Sequence, residues 1–163
     1  MAVEEGKGKR GRSPPEVPLD RAKVACSFST GGCGKCEAVL AALFAELESR
    51  GLQNLRFDAN PRHGDLAFLS GCGQKALLKR VRKLLYDALP AHAKLVVLGD
   101  CGVPGRSPFE RLPERAKANV ALGYYEGWPW KADWIPGCPP TVDQLADYLS
   151  GRGPSPPDSK GDG

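Results

Sequence analysis

Lys94-Leu-Val-Val-Leu-Gly99-Asp100-Cys101-Gly102 is the stretch on which the reading of this chain turns. Leu95, Val96, Val97 and Leu98 form a continuous apolar run without the alternation of a half-exposed strand, which suits a parallel strand covered on both faces. The run ends in a glycine loop that carries a cysteine. Working outward, residues 23–29 read as a first strand entering the loop Thr30-Gly31-Gly32. The helix that follows has Val39, Leu40, Leu43, Phe44 and Leu47 on one stripe, with Gly51 placed to end it. Residues 55–58 and 65–70 read as short strands, the latter ending at Gly71-Cys72-Gly73. A second helix is expected over 74–88, broken before Pro90. Strands alternating with helices predict an α/β fold with a doubly wound parallel sheet.

After Cys101 the pattern changes. Pro104, Pro108 and Pro113 exclude a long helix, leaving room for a short one over 114–122. Trp128, Trp130 and Trp134 fall in a turn-rich stretch before Cys138. Thr141 can then cap a closing helix and Gln144 can reach back to it, with Leu145, Tyr148 and Leu149 facing the core.

A chain of 163 residues with 41% hydrophobic content can bury one substantial core, not two. That core is expected in a single domain over residues 22–150. Residues 1–21 and 151–163 are rich in Gly, Pro and charge and almost lack large apolar side chains, so both are expected to be disordered tails. The net charge of +4 is modest. Its clearest cluster, Lys75, Lys79, Arg80, Arg82 and Lys83, interleaves with Leu78, Val81 and Leu85 at helical spacing. This predicts the wet face of an amphipathic helix and argues against a nucleic-acid partner. No run approaches the roughly 20 apolar residues of a membrane-spanning helix, and no export signal is visible. The expectation is a cytoplasmic protein without direct membrane insertion. Six cysteines in a reducing compartment then point to metal or redox chemistry rather than disulfides.

Four of those cysteines sit on glycine- or proline-bearing loops: Gly-Gly-Cys33-Gly-Lys-Cys36-Glu, Gly-Asp-Cys101-Gly and Pro-Gly-Cys138-Pro-Pro. In a doubly wound sheet, ligands collect beyond the carboxyl ends of the strands. Cys33 and Cys36 follow the first strand, Cys101 follows the strongest one, and Cys138 directly precedes the closing helix. Four thiolates gathered there suit an iron-sulfur cluster or a tetrahedral zinc ion. The flanking glycines Gly32, Gly34, Gly102 and Gly137 are assigned to the cofactor's surroundings, because they let backbone approach closely. Amides turned toward the sulfurs would stabilise a reduced cluster. Zinc, a thiol-redox pair at Cys33 and Cys36, and plain buried cysteines all remain open on the residues alone.

Taken in order, these segments resemble those of the nickel-iron hydrogenase small subunit, and in altered form those of the 20 kDa (B-type) subunit of NADH-quinone oxidoreductase. The resemblance runs over about residues 23–149, and Ile135-Pro-Gly-Cys-Pro-Pro140 is its most specific piece. It implies a flavodoxin-like domain holding one proximal-type [4Fe-4S] cluster on Cys33, Cys36, Cys101 and Cys138. Such a subunit passes electrons between a large subunit, of hydrogenase or NADH-quinone oxidoreductase type, and other electron-carrier subunits. It does no bond-making itself. B-type subunits have adjacent cysteines in the first motif, so the spacing of Cys33 and Cys36 resembles the hydrogenase branch. Val103-Pro104 departs from the glycines expected after the third cysteine, and the tryptophan-rich insert has no counterpart in the pattern.

Cys26 reads as a small buried hydrophobe. Cys72, between two glycines at a helix start, is a candidate extra ligand or redox-sensitive thiol. Glu37 suits a helix N-terminus, and His63 and His92 read as surface residues. The tryptophans, with Tyr124 and Tyr125, are either a docking surface or core packing. A zinc-stabilised interaction module without redox activity is the alternative function from a different class.

Overall fold

The computed structural model describes residues 18–152. Most of both expected tails lies outside the described residues. Of the first tail, Leu19–Arg21 form a 3-10 turn, and Leu19 packs against the core.

Five parallel strands make one sheet: β1 (Val24–Ser29), β2 (Arg56–Phe57), β3 (Leu66–Ser70), β4 (Lys94–Leu98) and β5 (Ala132–Ile135). Their spatial order is β2-β1-β3-β4-β5, the flavodoxin-like order whose direction of winding reverses between β1 and β3. Helices therefore fall on both faces. α1 (Lys35–Ala45) and α4 (Val142–Leu149) cover one, where Leu40, Leu43 and Leu145 pack on Ala25, Leu66, Phe68, Val96 and Leu98. α2 (Lys75–Ala88) covers the other, where Val81 and Leu85 pack on Cys26, Ala67, Leu69 and Leu95. Successive residues of β3 thus serve opposite cores, which is why β3 and β4 carry no polar alternation. Phe68 lies at the centre, in register with Ser27 on one side and Val96 on the other.

The closing helix begins as the sequence predicts. Thr141 Oγ1 accepts from Gln144 N at 3.1 Å, and Gln144 Oε1 accepts from Thr141 N at 2.8 Å, a complete capping box. The first helix stops at Ala45, earlier than expected, but turns continue to Gly51. There φ of +72° lets Leu52 N–H return to Leu47 O at 2.8 Å.

Two elements differ from the sequence reading. The short helix α3 spans only Glu114–Lys117, after which Lys75 N–H bonds Asn119 O and Ala121 N–H bonds Gly73 O, drawing the chain back to the loop after β3. Strand β5 falls where a turn-rich stretch is expected. Its two buried residues are Asp133 and Ile135, so half of its inward face is a carboxylate and no apolar period exists to be read. Asp133 Oδ2 instead meets Lys94 Nζ at 2.8 Å and accepts from Tyr148 OH at 2.6 Å, which satisfies the charge where it is buried.

Candidate functional site

The loops after β1, β3, β4 and β5 all lie at the carboxyl edge of the sheet, and they lock to one another in pairs. Thr30 is the pin of the first pair. Its N–H and its hydroxyl both donate to Ser70 O, at 2.8 and 2.7 Å, while its carbonyl accepts from Gln74 N–H at 2.7 Å. Cys72 N–H donates to Gly31 O at 2.7 Å. Such close contact requires glycine at position 71, where a Cβ would run into the backbone of Gly31 and φ is +101°.

The β4 and β5 loops form the second pair. Asp100 N–H donates to Gly137 O at 2.9 Å, and Asp100 Oδ1 accepts from Gly137 N–H at 3.1 Å. Asp100 therefore fixes the spacing between the Cys101 and Cys138 loops. Ser107 Oγ donates to Cys101 O at 2.6 Å, and Trp134 Nε1 donates to Gly99 O at 3.0 Å with the Arg106 guanidinium over its ring.

Cys33 and Cys138 are exposed, whereas Cys36 and Cys101 are buried. Cys36 lies in the first turn of α1, whose N-cap Gly34 is left-handed at φ +79°. Gly99 makes the cradle for its sulfur, since a Cβ there would come within 2.8 Å of Cys36 Sγ. The four thiols act on one another through space. Burial first, then the charges of Glu37, Cys33, Cys138 and Asp100, push Cys36 up to about 11. Burial first, then Cys138, Cys36, Cys33 and Cys72, push Cys101 up to about 12. Thiols that resist ionisation through desolvation and mutual repulsion are relieved together by a cation, so this donor set fits a metal-containing group. Among the described residues, no three Cys, His, Asp or Glu side chains stand at the spacing a metal ion requires.

The glycines divide by role. Gly34 meets nothing within 4 Å and serves the turn alone, and Gly137, at φ +134°, abuts Pro140. At Gly102 a Cβ would meet both a side chain and backbone of this protein, Tyr124 Cε1 at 2.7 Å and Gly71 O at 2.8 Å.

Cys26 faces the α2 core with no exposure, and burial first, then the Asp58 charge, push it up to about 12. Cys72 is also buried, on the loop between β3 and α2, and Cys101 feels its charge. His63 and His92 each face a carboxylate, Asp58 at 3.1 Å and Asp65 at 3.3 Å. Trp128, Trp130 and Tyr124 belong to the α2 core cluster, so core packing is the correct reading for those rings and they form no docking surface. Sequence reasoning missed Thr30, Asp100 and Tyr124 as organisers of the site. Asp100 had a signal in its place beside Cys101; Tyr124 had none, since it lies on a loop distant in sequence from those it wedges apart. Glu37 does more than favour a helix start, for its Oε1 accepts from Ser70 Oγ at 2.7 Å and so ties α1 to the end of β3.

The fold is an α/β protein with a parallel sheet, and the loops that carry Cys33 and Cys36, Cys101 and Cys138 all lie at the carboxyl edge of that sheet. No protein-family profile and no curated protein matches the chain. Among solved structures it is similar to a chain of the membrane-bound sulfane sulfur reductase (MBS), an archaeal respiratory membrane complex. The identity is 21% and the TM-score 0.59, over 79% of this chain and 67% of that one. It is likewise similar to a chain of an NAD+-reducing [NiFe]-hydrogenase in the H2-reduced state. There the identity is 20% and the TM-score 0.54, over 86% of this chain and 98% of that one. The likeness shows a shared fold. No helix among the described residues is long and apolar enough to cross a membrane.

Proposed function

We propose that this chain is an electron-transfer subunit of a multi-subunit oxidoreductase, holding one proximal-type [4Fe-4S] cluster on Cys33, Cys36, Cys101 and Cys138. The observation that carries the reading is the meeting of three cysteine loops at one sheet edge: Gly99, two residues before Cys101, packs against Cys36 Sγ, and Asp100 ties the Cys101 loop to Gly137 beside Cys138. Both solved neighbours belong to oxidoreductase complexes, one of them a [NiFe]-hydrogenase, which supports a subunit role for the same fold here.

When bound, the cluster supplies one-electron transfer. The residues of this chain do the rest. Gly99 leaves room for the Cys36 sulfur, Asp100 sets the separation of two ligand loops, and the α1 N-terminus favours negative charge at Cys36. The exposed pair Cys33 and Cys138 marks the side that a large subunit, of hydrogenase or NADH-quinone oxidoreductase type, would cover. Electrons would leave through other carrier subunits. We place the complex in the cytoplasm or on its side of a membrane.

Anaerobic reconstitution of the full chain with iron and sulfide tests this directly. About four iron and four sulfide per chain, with visible absorption that bleaches on reduction, is the expected result. A colourless protein with one tightly bound zinc, or with no metal, overturns it.

A further inference from the structure

The net charge of this protein is concentrated on one helix. α2 holds five cations, Lys75, Lys79, Arg80, Arg82 and Lys83, against one carboxylate, Asp87. Its net charge of +4 equals that of the whole chain. Elsewhere on the described surface cations meet acids: Arg50 holds Glu46 and Asp143, each at 2.8 Å, and Lys117 holds Glu114 at 3.0 Å. On α2, among the described residues, only Lys83 does so, with Asp87 at 2.7 Å.

Lys75, Lys79, Arg82 and Lys83 share one stripe of the helix with Leu78 and Tyr86, and these six side chains line an open furrow. Like charges at steps of three and four residues repel, so the helix bears them at a cost to its own stability. A face made only for water is served as well by alternating signs. The furrow is also partly apolar. Tyr86 is 48% exposed, meets the ring of Trp130 edge to face with centroids 5.3 Å apart, and has the Arg82 guanidinium 5.5 Å over its ring. An exposed aromatic anchored from behind, with an arginine over it, is the chemistry of an interface centre.

The ends of this chain do not supply the complement. Residues 1–17 hold four cations and three carboxylates, and residues 153–163 hold one cation and two carboxylates. Nucleic-acid phosphates would engage the cations and leave Leu78 and Tyr86 without a part. An anionic bilayer would call for the exposed apolar side chains to share the cationic stripe, yet exposed Leu84, two residues before Tyr86, falls on the other side of the helix.

We propose that this stripe of α2 docks an acidic amphipathic segment of a neighbouring subunit, with carboxylates on the four cations and an apolar side chain against Leu78 and Tyr86. From residue 75 to residue 86 the stripe runs about three helical turns, which sets the length of segment it takes. The inference deepens the subunit reading above and rests on it. α2 covers the sheet face opposite α1, the helix that carries Cys36, so this contact is made apart from the cysteine loops.

The test uses the native complex, isolated through a tag on the full chain from the cells that make it. A zero-length carbodiimide reagent joins lysine amines to carboxylates in contact. Links from Lys75, Lys79 or Lys83 to Asp or Glu of another subunit are expected, and links from these lysines to this chain alone overturn the inference. The double variant Lys79→Glu with Arg82→Glu is expected to retain about tenfold less of the neighbour, and its thermal midpoint should equal or exceed that of wild type, since repulsion along the helix is relieved. Tyr86→Ala keeps every charge and is expected to weaken the same association. Full retention of the neighbour by either variant overturns the inference. So does wild-type binding to phosphatidylserine-containing vesicles or duplex DNA that the double variant loses while it keeps the neighbour. If no other subunit accompanies the wild-type chain, the subunit reading falls first, and the inference with it.

Discussion

At the amino end of the sheet, the carboxylates of Asp133 and Asp65 each meet a complement. Asp133 sits between Lys94 Nζ and Tyr148 OH, and Asp65 Oδ2 accepts from the N–H groups of Lys23 and Val24 at 2.8 and 3.0 Å. The carboxyl end is built differently. Gly31, Gly71, Gly73, Gly99 and Gly137 hold positive φ there, and backbone bonds such as Cys72 N–H to Gly31 O and Asp100 N–H to Gly137 O join the loops. Three thiols and one phenol are buried at that edge, each with a raised pKa. One end uses its polar groups to hold the fold; the other buries thiols, the donors that our proposal assigns to a cluster. The two ends should therefore fail in different ways when mutated.

The largest effect expected is at the carboxyl end, on binding. Cys36→Ser or Cys101→Ser should lose essentially all reconstituted iron and sulfide, while costing about 1 kcal/mol of stability, an ordinary value for a point substitution. Metal analysis and urea unfolding on the same samples measure both. A Cys101→Ser protein that keeps its full iron content would remove the contrast between the ends. Asp133→Ala should do the reverse. Lys94 and Asp133 have side chains only 14% and 8% exposed, and removing one partner of such a pair costs about 3–5 kcal/mol. The folded fraction should still bind iron in full. Equal losses of stability from Cys101→Ser and Asp133→Ala would show that the ends are not separable.

Much of the fold was legible because its signals are local. The apolar run at residues 94–99 and the Thr141 to Gln144 box each depend on neighbours within a few positions, and both appear almost as read. Strand β5 was not legible, since Asp133 takes a core-facing place that only Lys94 and Tyr148 make tenable, and neither is nearby in sequence. The candidate site divides the same way. The cysteine loops announce themselves by their glycines and prolines, and the strand order brings them to one edge as expected. The roles of Thr30 and Tyr124 arise where three loops meet, and no pattern along the chain encodes such a meeting.

Alkaline pH should separate the two kinds of thiol. Cys26, Cys36 and Cys101 are raised from 9.0 to about 12, 11 and 12, so the folded state holds protons that the unfolded state releases first. Stability from these groups is complete below pH 9.0 and is lost as pH climbs toward 12. Thermal midpoints of the metal-free chain should fall over that window. Cys26→Ala should remove part of the fall, and metal loading should remove the share of Cys36 and Cys101, whose protons then leave on binding. If loading leaves the alkaline loss unchanged, those two thiols are not ligands.

The smallest effect concerns a helix cap at the carboxyl end. Thr141 caps α4 two residues after Pro139, so it belongs to the fold by chemistry and to the Cys138 loop by position. Thr141→Ala should cost about 1 kcal/mol, the usual value of an N-cap. Iron content should not change, because Gly137 is tied to Asp100 on the other side of Cys138 and does not depend on the cap. If metal uptake falls along with stability, the cap holds Cys138 in place as well, and the division between a structural end and a binding end is drawn one loop too wide.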